Sequence, residues 1–340
     1  MHWSFPLIIF IGVFVASLAG TRQVLRVLSD RAILDHPNER SSHSTPTPKG
    51  AGFAVIPCII AAWGITAWGT PEAAITATLT AAAIGLAVLS WVDDLRGLNP
   101  VWRLGAQVLA VAFVFFSPDA GTFFEGPFFG GLLPPGIDMV VAGLLWIWFI
   151  NLFNFMDGID GIAGVEAACI GIGIALVSAA AGLSDVFGAF GVAIAAATLG
   201  FLVWNWHPAK IFLGDIGSVP LGFMLGGLLL WLAASGQWAA ALILPLYYLA
   251  DATITLAKRF VRGEKVWQAH RQHFYQQALS HGLSHDHVVR HVLFIDLVLI
   301  ALAVAAARGW VLAAMISAPF LVMWLLFYLG IPLNTPPNNE

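Results

Sequence analysis

The chain predicts an all-α, polytopic membrane protein, and three observations carry that prediction. Hydrophobic residues fill 59% of its 340 positions and charged residues only 10%, against about 25% charged in an ordinary soluble chain. Apolar runs long enough to cross a bilayer as helices, which takes roughly 17–25 residues, recur from one end to the other. The Lys and Arg residues gather in alternate connecting loops, the asymmetry that membrane insertion produces.

Eleven spans are read in order, at 4–28, 50–69, 74–92, 102–117, 137–153, 162–181, 187–204, 217–235, 238–257, 291–307 and 310–331. The first lacks a basic leader and a small-residue cleavage site, so it reads as a retained anchor. Only Arg308-Gly309 parts the last two. With the N-terminus outside, the inside loops hold Arg22, Arg26, Arg31, Arg40, Lys49, Arg96, Arg103, Lys210, Lys258, Arg259, Arg262, Lys265, Arg271 and Arg290, leaving only Arg308 of the fifteen Lys and Arg outside. The N-terminus is then periplasmic and the C-terminus cytoplasmic. The loops at 29–49 and 258–290 are too short to bury a core of their own, so residues 1–340 form one integral-membrane domain. Cys58 and Cys169 lie inside spans without a CxxC or metal-ligand neighbour and read as buried thiols. No internal repeat supports a transporter built on inverted repeats.

Polar residues concentrate in islands at the inside ends of the spans. Asn151-Leu-Phe-Asn154-Phe-Met-Asp157-Gly-Ile-Asp160-Gly places two carboxamides and two carboxylates beside an apolar run, where such groups need a compensating cation or ligand. Asn154 and Asp157 are near neighbours on a helix, whereas Asn151 and Asp160 are not. Gly158 and Gly161 predict a break that lets the backbone wrap a ligand. Asp93 and Asp94 point about 100° apart on a helix and so serve different partners; a plainer reading pairs them with Arg96 or Arg103. Lys210 through Ser218 joins a cation for phosphate to Asp215, which is either a helix N-terminal acid or an oxygen ligand for a hard metal. His270, Arg271 and His273 suit a phosphate clamp better than a zinc site, since no HExxH or Cys partner accompanies them. His281, His285 and His287 read as surface residues. Asp251 is left between a pairing with Lys258 or Arg259 and a place in the site, and Asp296 is equally open.

Together the islands resemble the polyprenyl-phosphate N-acetylhexosamine-1-phosphate transferase family, glycosyltransferase family 4-like. The matching segments are Asp-x-Pro-x-x-Arg-x-x-His (Asp35, Pro37, Arg40, His43), Asp93-Asp94, Asn-x-x-Asn-x-x-Asp-Gly-x-Asp-Gly at 151–161, Pro-Ala-Lys-x-Phe-x-Gly-Asp-x-Gly-Ser at 208–218, and the His-rich loop. The resemblance implies that Asn154 and Asp215 hold Mg2+, with Mn2+ able to substitute. Asp93 and Asp94 become the catalytic acidic pair beside the reacting phosphates. Asp157 and Asp160 line the nucleotide pocket with Lys49 beside it, His270, Arg271 and His273 grip pyrophosphate or sugar, and Asn151 and Lys210 are further substrate-binding positions. Two departures, His-Arg-Gln-His in place of a histidine run and Arg96-Gly97-Leu98 after the acidic pair, favour the branch that primes surface polysaccharides.

The implied reaction transfers an N-acetylated aminosugar 1-phosphate from a UDP-sugar to undecaprenyl phosphate at the cytoplasmic face of a bacterial inner membrane, releasing UMP. Membrane lipids are the remaining partners, nucleic acid is not one, and a homodimer is compatible with the sequence. A phosphate monoester is mostly dianionic at neutral pH, so a base such as Asp93 helps without being essential. The competing readings are a transporter with a cytoplasmic cation site and the phospho-MurNAc-pentapeptide transferase branch.

Overall fold

Fourteen α-helices organise the residues that a computed structural model of the chain describes, namely 4–37, 45–265 and 270–332. In order they are α1 (Ser4–Asp30), α2 (Gly52–Ala67), α3 (Ala73–Arg96), α4 (Pro100–Phe115), α5 (Ala120–Phe123), α6 (Pro135–Met156), α7 (Ile162–Ala181), α8 (Asp185–Asn205), α9 (Asp215–Leu232), α10 (Trp238–Ile243), α11 (Leu246–Val261), α12 (Phe274–Ser280), α13 (His285–Ala307) and α14 (Val311–Gly330). Two two-residue strands, β1 (Leu34–Asp35) and β2 (Thr47–Pro48), pair antiparallel. Arg40 and His43 of the first-loop motif lie outside the described residues.

Each of the eleven predicted spans is helical, but not all are alike. Among the described residues, eight helices are long and apolar enough to cross a membrane, with α9 and α10 counted as one. The helices α2 and α4 have 16 residues each, short of the roughly 20 that a perpendicular crossing takes. The span read at 238–257 is broken. A kink at Ala233–Gln237, where Gly236 takes φ 84°, separates α9 from α10, and α11 restarts after Pro245, whose missing N–H prevents helix continuation.

At the centre stands α9, whose membrane-length window is entirely buried inside the protein. Its glycines make that possible. Gly222, Gly226 and Gly227 leave room for Ile150, Phe153 and Trp146 of α6, the small-residue packing that drives helix association in lipid. Trp146 stacks on Phe223 at 4.8 Å and donates its indole N–H to the Phe223 carbonyl at 2.8 Å. Around this hub, α1 and α8 lie against one another, as do α7 and α8. The outward faces carry large apolar side chains such as Ile65, Leu144, Ile316 and Phe320, suited to lipid contact.

The closest backbone approach joins α2 to α9. A Cβ on Gly52 would overlap the Gly217 nitrogen and lie 2.7 Å from the Ile216 carbonyl carbon. Neither can swing aside, because both belong to backbone. Gly52→Ala is therefore expected to lower the thermal unfolding midpoint in detergent, by an overpacking cost of about 1–3 kcal/mol. Gly64→Ala on the same helix, where nothing lies within 4 Å, is the neutral comparison; equal midpoints for the two variants would contradict this.

Candidate active site

Backbone hydrogen bonds assemble the site before any side chain takes part. Phe212 N–H donates to the Pro48 carbonyl at 2.8 Å, while the N–H groups of Gly50 and Ala51 both donate to the Phe212 carbonyl at 3.0 Å. Gly52 N–H bonds the Leu213 carbonyl at 3.0 Å. These bonds staple the loop before α2 to the loop before α9, and so fix Lys49 against Asp215, the first residue of α9. Lys49 Nζ lies 2.7 Å from Asp94 Oδ1 and 3.3 Å from Asp215 Oδ1. Burial works to lower the Lys49 pKa, but Asp215 and Asp94 outweigh it and hold the ammonium well above the usual lysine range. Ile216 N–H, in the first turn of α9, donates to Asp94 Oδ2 at 3.3 Å, the charge-assisted bond that a helix N-terminus offers.

Asp93 turns elsewhere, as adjacent helix positions require. Its Oδ2 pairs with Arg103 at 2.9 Å and its Oδ1 accepts from Leu98 N–H at 2.6 Å. Arg103 also reaches to 3.9 Å from Asp215 Oδ2, which ties both acids of the pair into one network. Asn151 and Gln107 exchange amide hydrogen bonds at 2.6 and 3.3 Å, and with Asp93, Arg103 and Asn154 they line a narrow cleft. Asn154 donates its Nδ2 to Ser218 Oγ at 2.8 Å, which leaves its carbonyl oxygen uncommitted among the described residues.

The expected helix break falls where the glycines predicted it: α6 ends at Met156 and α7 starts at Ile162. Gly161, at φ 83°, takes a conformation that costs a side-chain-bearing residue about 1–2 kcal/mol. Within the break, burial pushes the Asp157 carboxyl up, Lys49 pulls it partly back, and Asp215 and Asp94 add to the rise, so that it titrates at about 7. Asp160 behaves oppositely. Burial works to raise its pKa, but His285, His207 and the Ala209 N–H outweigh it and hold the carboxyl below its ordinary value.

That second cluster was not legible as such. His207 Nδ1 sits 2.6 Å and His285 Nδ1 3.4 Å from Asp160 Oδ2, and Asn205 bridges the two loops by accepting from Gly161 N–H and donating to the Ile211 carbonyl, both at 2.9 Å. The surface placement expected for the later histidines is corrected here. His281, His285 and His287 are all half-buried, and His287 Nε2 meets Tyr328 Oη at 2.9 Å.

Asp251 does not pair with Lys258 or Arg259. It is fully buried, and it accepts from Phe274 N–H at 3.0 Å and Tyr275 N–H at 3.2 Å, with His273 Nδ1 at 3.2 Å. It therefore anchors the start of α12 and holds His273 in the interior. His270 stacks on His273 at 4.8 Å. Burial, the neighbouring His273 and Arg259 push the His270 imidazole down to about 4, so it is neutral near pH 7. Its Nδ1 accepts from Gln272 N–H, leaving Nε2–H as its donor; Arg271 is exposed and supplies the charge of this loop. Asp296 stands apart, buried in α13 beside Glu166 of α7. Lys210 also stands apart: it is exposed, with its ammonium 5.4 Å from the Trp204 ring centroid.

Two groups of residues carry donor atoms that a metal takes, and among the described residues only the second brings three of them within mutual reach. Asp93, Asp94 and Asp215 set three acids against two cations, Lys49 and Arg103, and Asp157, half protonated near pH 7, adds to the negative excess. Their carboxylates and the Asn154 carbonyl are oxygen donors, the type that a hard cation takes. Asp160, His207 and His285 offer ligand atoms within 4.8 Å of one another, a nitrogen-rich set of the kind softer metals prefer.

Fold and site together define a polytopic membrane protein with a charged centre where its helices end. Residues 76–233 match the model of glycosyl transferase family 4, and the curated relatives support placing the chain with the polyprenyl-phosphate sugar-1-phosphate transferases. It is 28% identical over 309 residues, 88% of this chain and 85% of the relative, to a probable undecaprenyl-phosphate N-acetylglucosaminyl 1-phosphate transferase of Bacillus subtilis strain 168. It is 27% identical over 300 residues (78% and 74%) to a decaprenyl-phosphate N-acetylglucosaminephosphotransferase of Mycobacterium tuberculosis. A phospho-N-acetylmuramoyl-pentapeptide-transferase of Picosynechococcus shares 33% over 229 residues, 62% of this chain and 59% of that one. The family resemblance carried by the polar islands is borne out.

Asp157 gives a pH dependence whose sign can be worked out. Its folded pKa of about 7 lies above the unfolded value of about 3.9, so folding favours the protonated form. Its contribution to stability is full below about pH 4 and is lost as pH rises through about 7. In chelator, the unfolding midpoint of the detergent-solubilised protein is expected to fall across that window, and Asp157→Asn to flatten the fall. A wild-type midpoint independent of pH would contradict the assignment.

Proposed function

We propose that this protein transfers an N-acetylated aminosugar 1-phosphate from a UDP-sugar to undecaprenyl phosphate, releasing UMP and priming a cell-surface polysaccharide. The observation that carries the reading is the Lys49–Asp94–Asp215 centre, where acids in excess of cations converge at the ends of apolar helices. A magnesium ion held by Asn154 and Asp215 would neutralise pyrophosphate charge and the charge that builds up in phosphoryl transfer. Lys49, fixed by the backbone staple, orients the β-phosphate. Asp93, oriented by Arg103, takes the last proton from the acceptor phosphate where one remains. Asp157 and Asp160 line the nucleotide pocket with Asn151 at its edge, while the His270 Nε2–H and Arg271 hold the diphosphate or sugar, backed by His273.

The chemistry is a displacement at the β-phosphorus. An acceptor phosphate oxygen forms the new P–O bond, the bond to the bridging oxygen breaks, and UMP leaves with that electron pair. One step suffices, because the acceptor is already an anionic nucleophile, and no covalent relay through Asp94 is needed. An apolar groove of about 230 Å3 on the membrane side, lined by Trp146, Phe149, Leu229, Leu230, Trp238 and Leu242, offers the isoprenoid chain a place between helices. The pentapeptide-transferase branch is the second reading, favoured by the 33% identity to its Picosynechococcus member.

Purified enzyme given undecaprenyl phosphate and a panel of UDP-sugars is expected to release UMP with an N-acetylated aminosugar donor. EDTA should abolish release and magnesium or manganese restore it. Asp215→Asn should cost roughly 100-fold or more in rate, the scale for losing a group that stabilises transition-state charge. Full activity in Asp215→Asn would sink the metal assignment, and solute movement into proteoliposomes without UMP release would favour the transporter.

The site is proposed to face the cytoplasm of a bacterial inner membrane, with the N-terminus periplasmic. Reporter fusions after Gly236 and at the C-terminus are expected to give outside and inside signals respectively. Matching signals would mean an even number of crossings between them instead of three and would overturn the eleven-span topology.

A further inference from the structure

On the outer face of α1 a stripe of side chains runs from apolar to basic. Val15, Ala19, Arg22 and Arg26 follow one another at three- and four-residue spacing, so they share one face of the helix. Val15 is 54% exposed, and Val203 at the end of α8 is 56% exposed beside it. Both arginines are exposed and, among the described residues, neither has an ion-pair partner. Like charges one turn apart destabilise a helix unless something neutralises them.

The stripe is one wall of an outward-opening groove of about 570 Å3, completed by Leu18, Gln23, Val203 and Trp204. Its walls are held rigidly. Trp204 Nε1 donates to the Leu18 carbonyl at 3.0 Å and Ser17 Oγ to the Ala197 carbonyl at 2.6 Å. A Cβ on Gly200 would lie 2.6 Å from the Phe14 carbonyl oxygen, so α1 and α8 are in backbone contact there. With its N–H turned inward, the Trp204 ring carries Lys210 at 5.4 Å. Two cations therefore line a lipid-facing apolar slot and a third, Lys210, stands over the tryptophan at its boundary. Tryptophan favours that level of a bilayer, and basic side chains near it attract anionic headgroups.

We propose that this α1–α8 groove binds an anionic bilayer phospholipid, its phosphodiester held by Arg22, Arg26 and Lys210 and an acyl chain lying over Val15 and Val203. Neighbouring residues separate this groove from the active site. Asn205 turns inward to Gly161 and Ile211, whereas Trp204, one position earlier, lines the groove. The bound lipid is thus a structural ligand of the α8 end rather than the acceptor substrate, and the proposal does not depend on the reaction assigned above.

Delipidated full-length protein in non-ionic detergent can be titrated with dioleoylphosphatidylglycerol or with dioleoylphosphatidylcholine. Bound lipid is read by native mass spectrometry, and unfolding midpoints are read in parallel. The phosphatidylglycerol adduct is expected to form preferentially and to raise the midpoint. In R22Q/R26Q its occupancy should drop roughly tenfold or more, on the scale that two interfacial cations contribute, with the lipid-free midpoint unchanged. Arg290→Gln, which removes an exposed cation paired with Asp286, should bind as wild type. The single variants Arg22→Gln and Arg26→Gln, each expected to lose part of the occupancy, replace the double variant if it does not fold. Equal binding of the two lipids, or wild-type binding in the arginine variants, would overturn the proposal. Displacement of phosphatidylglycerol by an equimolar amount of undecaprenyl phosphate would overturn it too, by making the groove an entry site for the acceptor.

Discussion

Lys49 bridging Asp94 and Asp215 is the contact on which the rest of the site depends. The two acids come from α3 and α9, and without a cation between them they would repel across a medium that screens poorly. The lysine reaches them from a loop that has little hold of its own, since β1 and β2 are two residues each. Backbone bonds to Phe212 and Leu213 do the holding. The position of the charge is thus set by groups that carry no side-chain identity, and the lysine then sets the distance between two helices.

The same logic explains why the acidic pair is divided. Asp94 is committed to Lys49 and the first turn of α9, and Asp93 to Arg103 and the turn after α3. One network therefore connects four segments through ionic contacts of 2.7 to 3.9 Å. It is half-exposed at Lys49 and Arg103, so each pair by itself contributes modestly to stability. Its value is geometric: it keeps oxygen atoms from separate helices at fixed spacing.

Much of this was legible in the sequence, and the exceptions have physical reasons. The break at Gly158–Gly161 could be read because polar density and glycine coincide there. The divergence of Asp93 and Asp94 followed from helix geometry alone. The convergence of His207 and His285 on Asp160 could not be read, because hydropathy does not say which loops meet. Gln107 was hidden for another reason: it lies within an apolar run, and only its reciprocal bond to Asn151 gives it meaning. The interruption at Pro245 was averaged away by a window tuned to whole spans. Asp251 looked like a neighbour of Lys258 along one helix, but three groups at the start of α12 claim it instead.

The burial of α9 has a consequence for how such chains diverge. A bilayer accepts almost any apolar side chain, whereas a packed neighbouring helix accepts one volume and shape. Substitutions should then accumulate from the rim inward, fastest on lipid-facing α1 and α14 and slowest on α9. The family match ends at residue 233, immediately after α9 closes at Leu232. A chain built this way can change most of its lipid-facing residues and keep the packing of the central helix that presents Asp215.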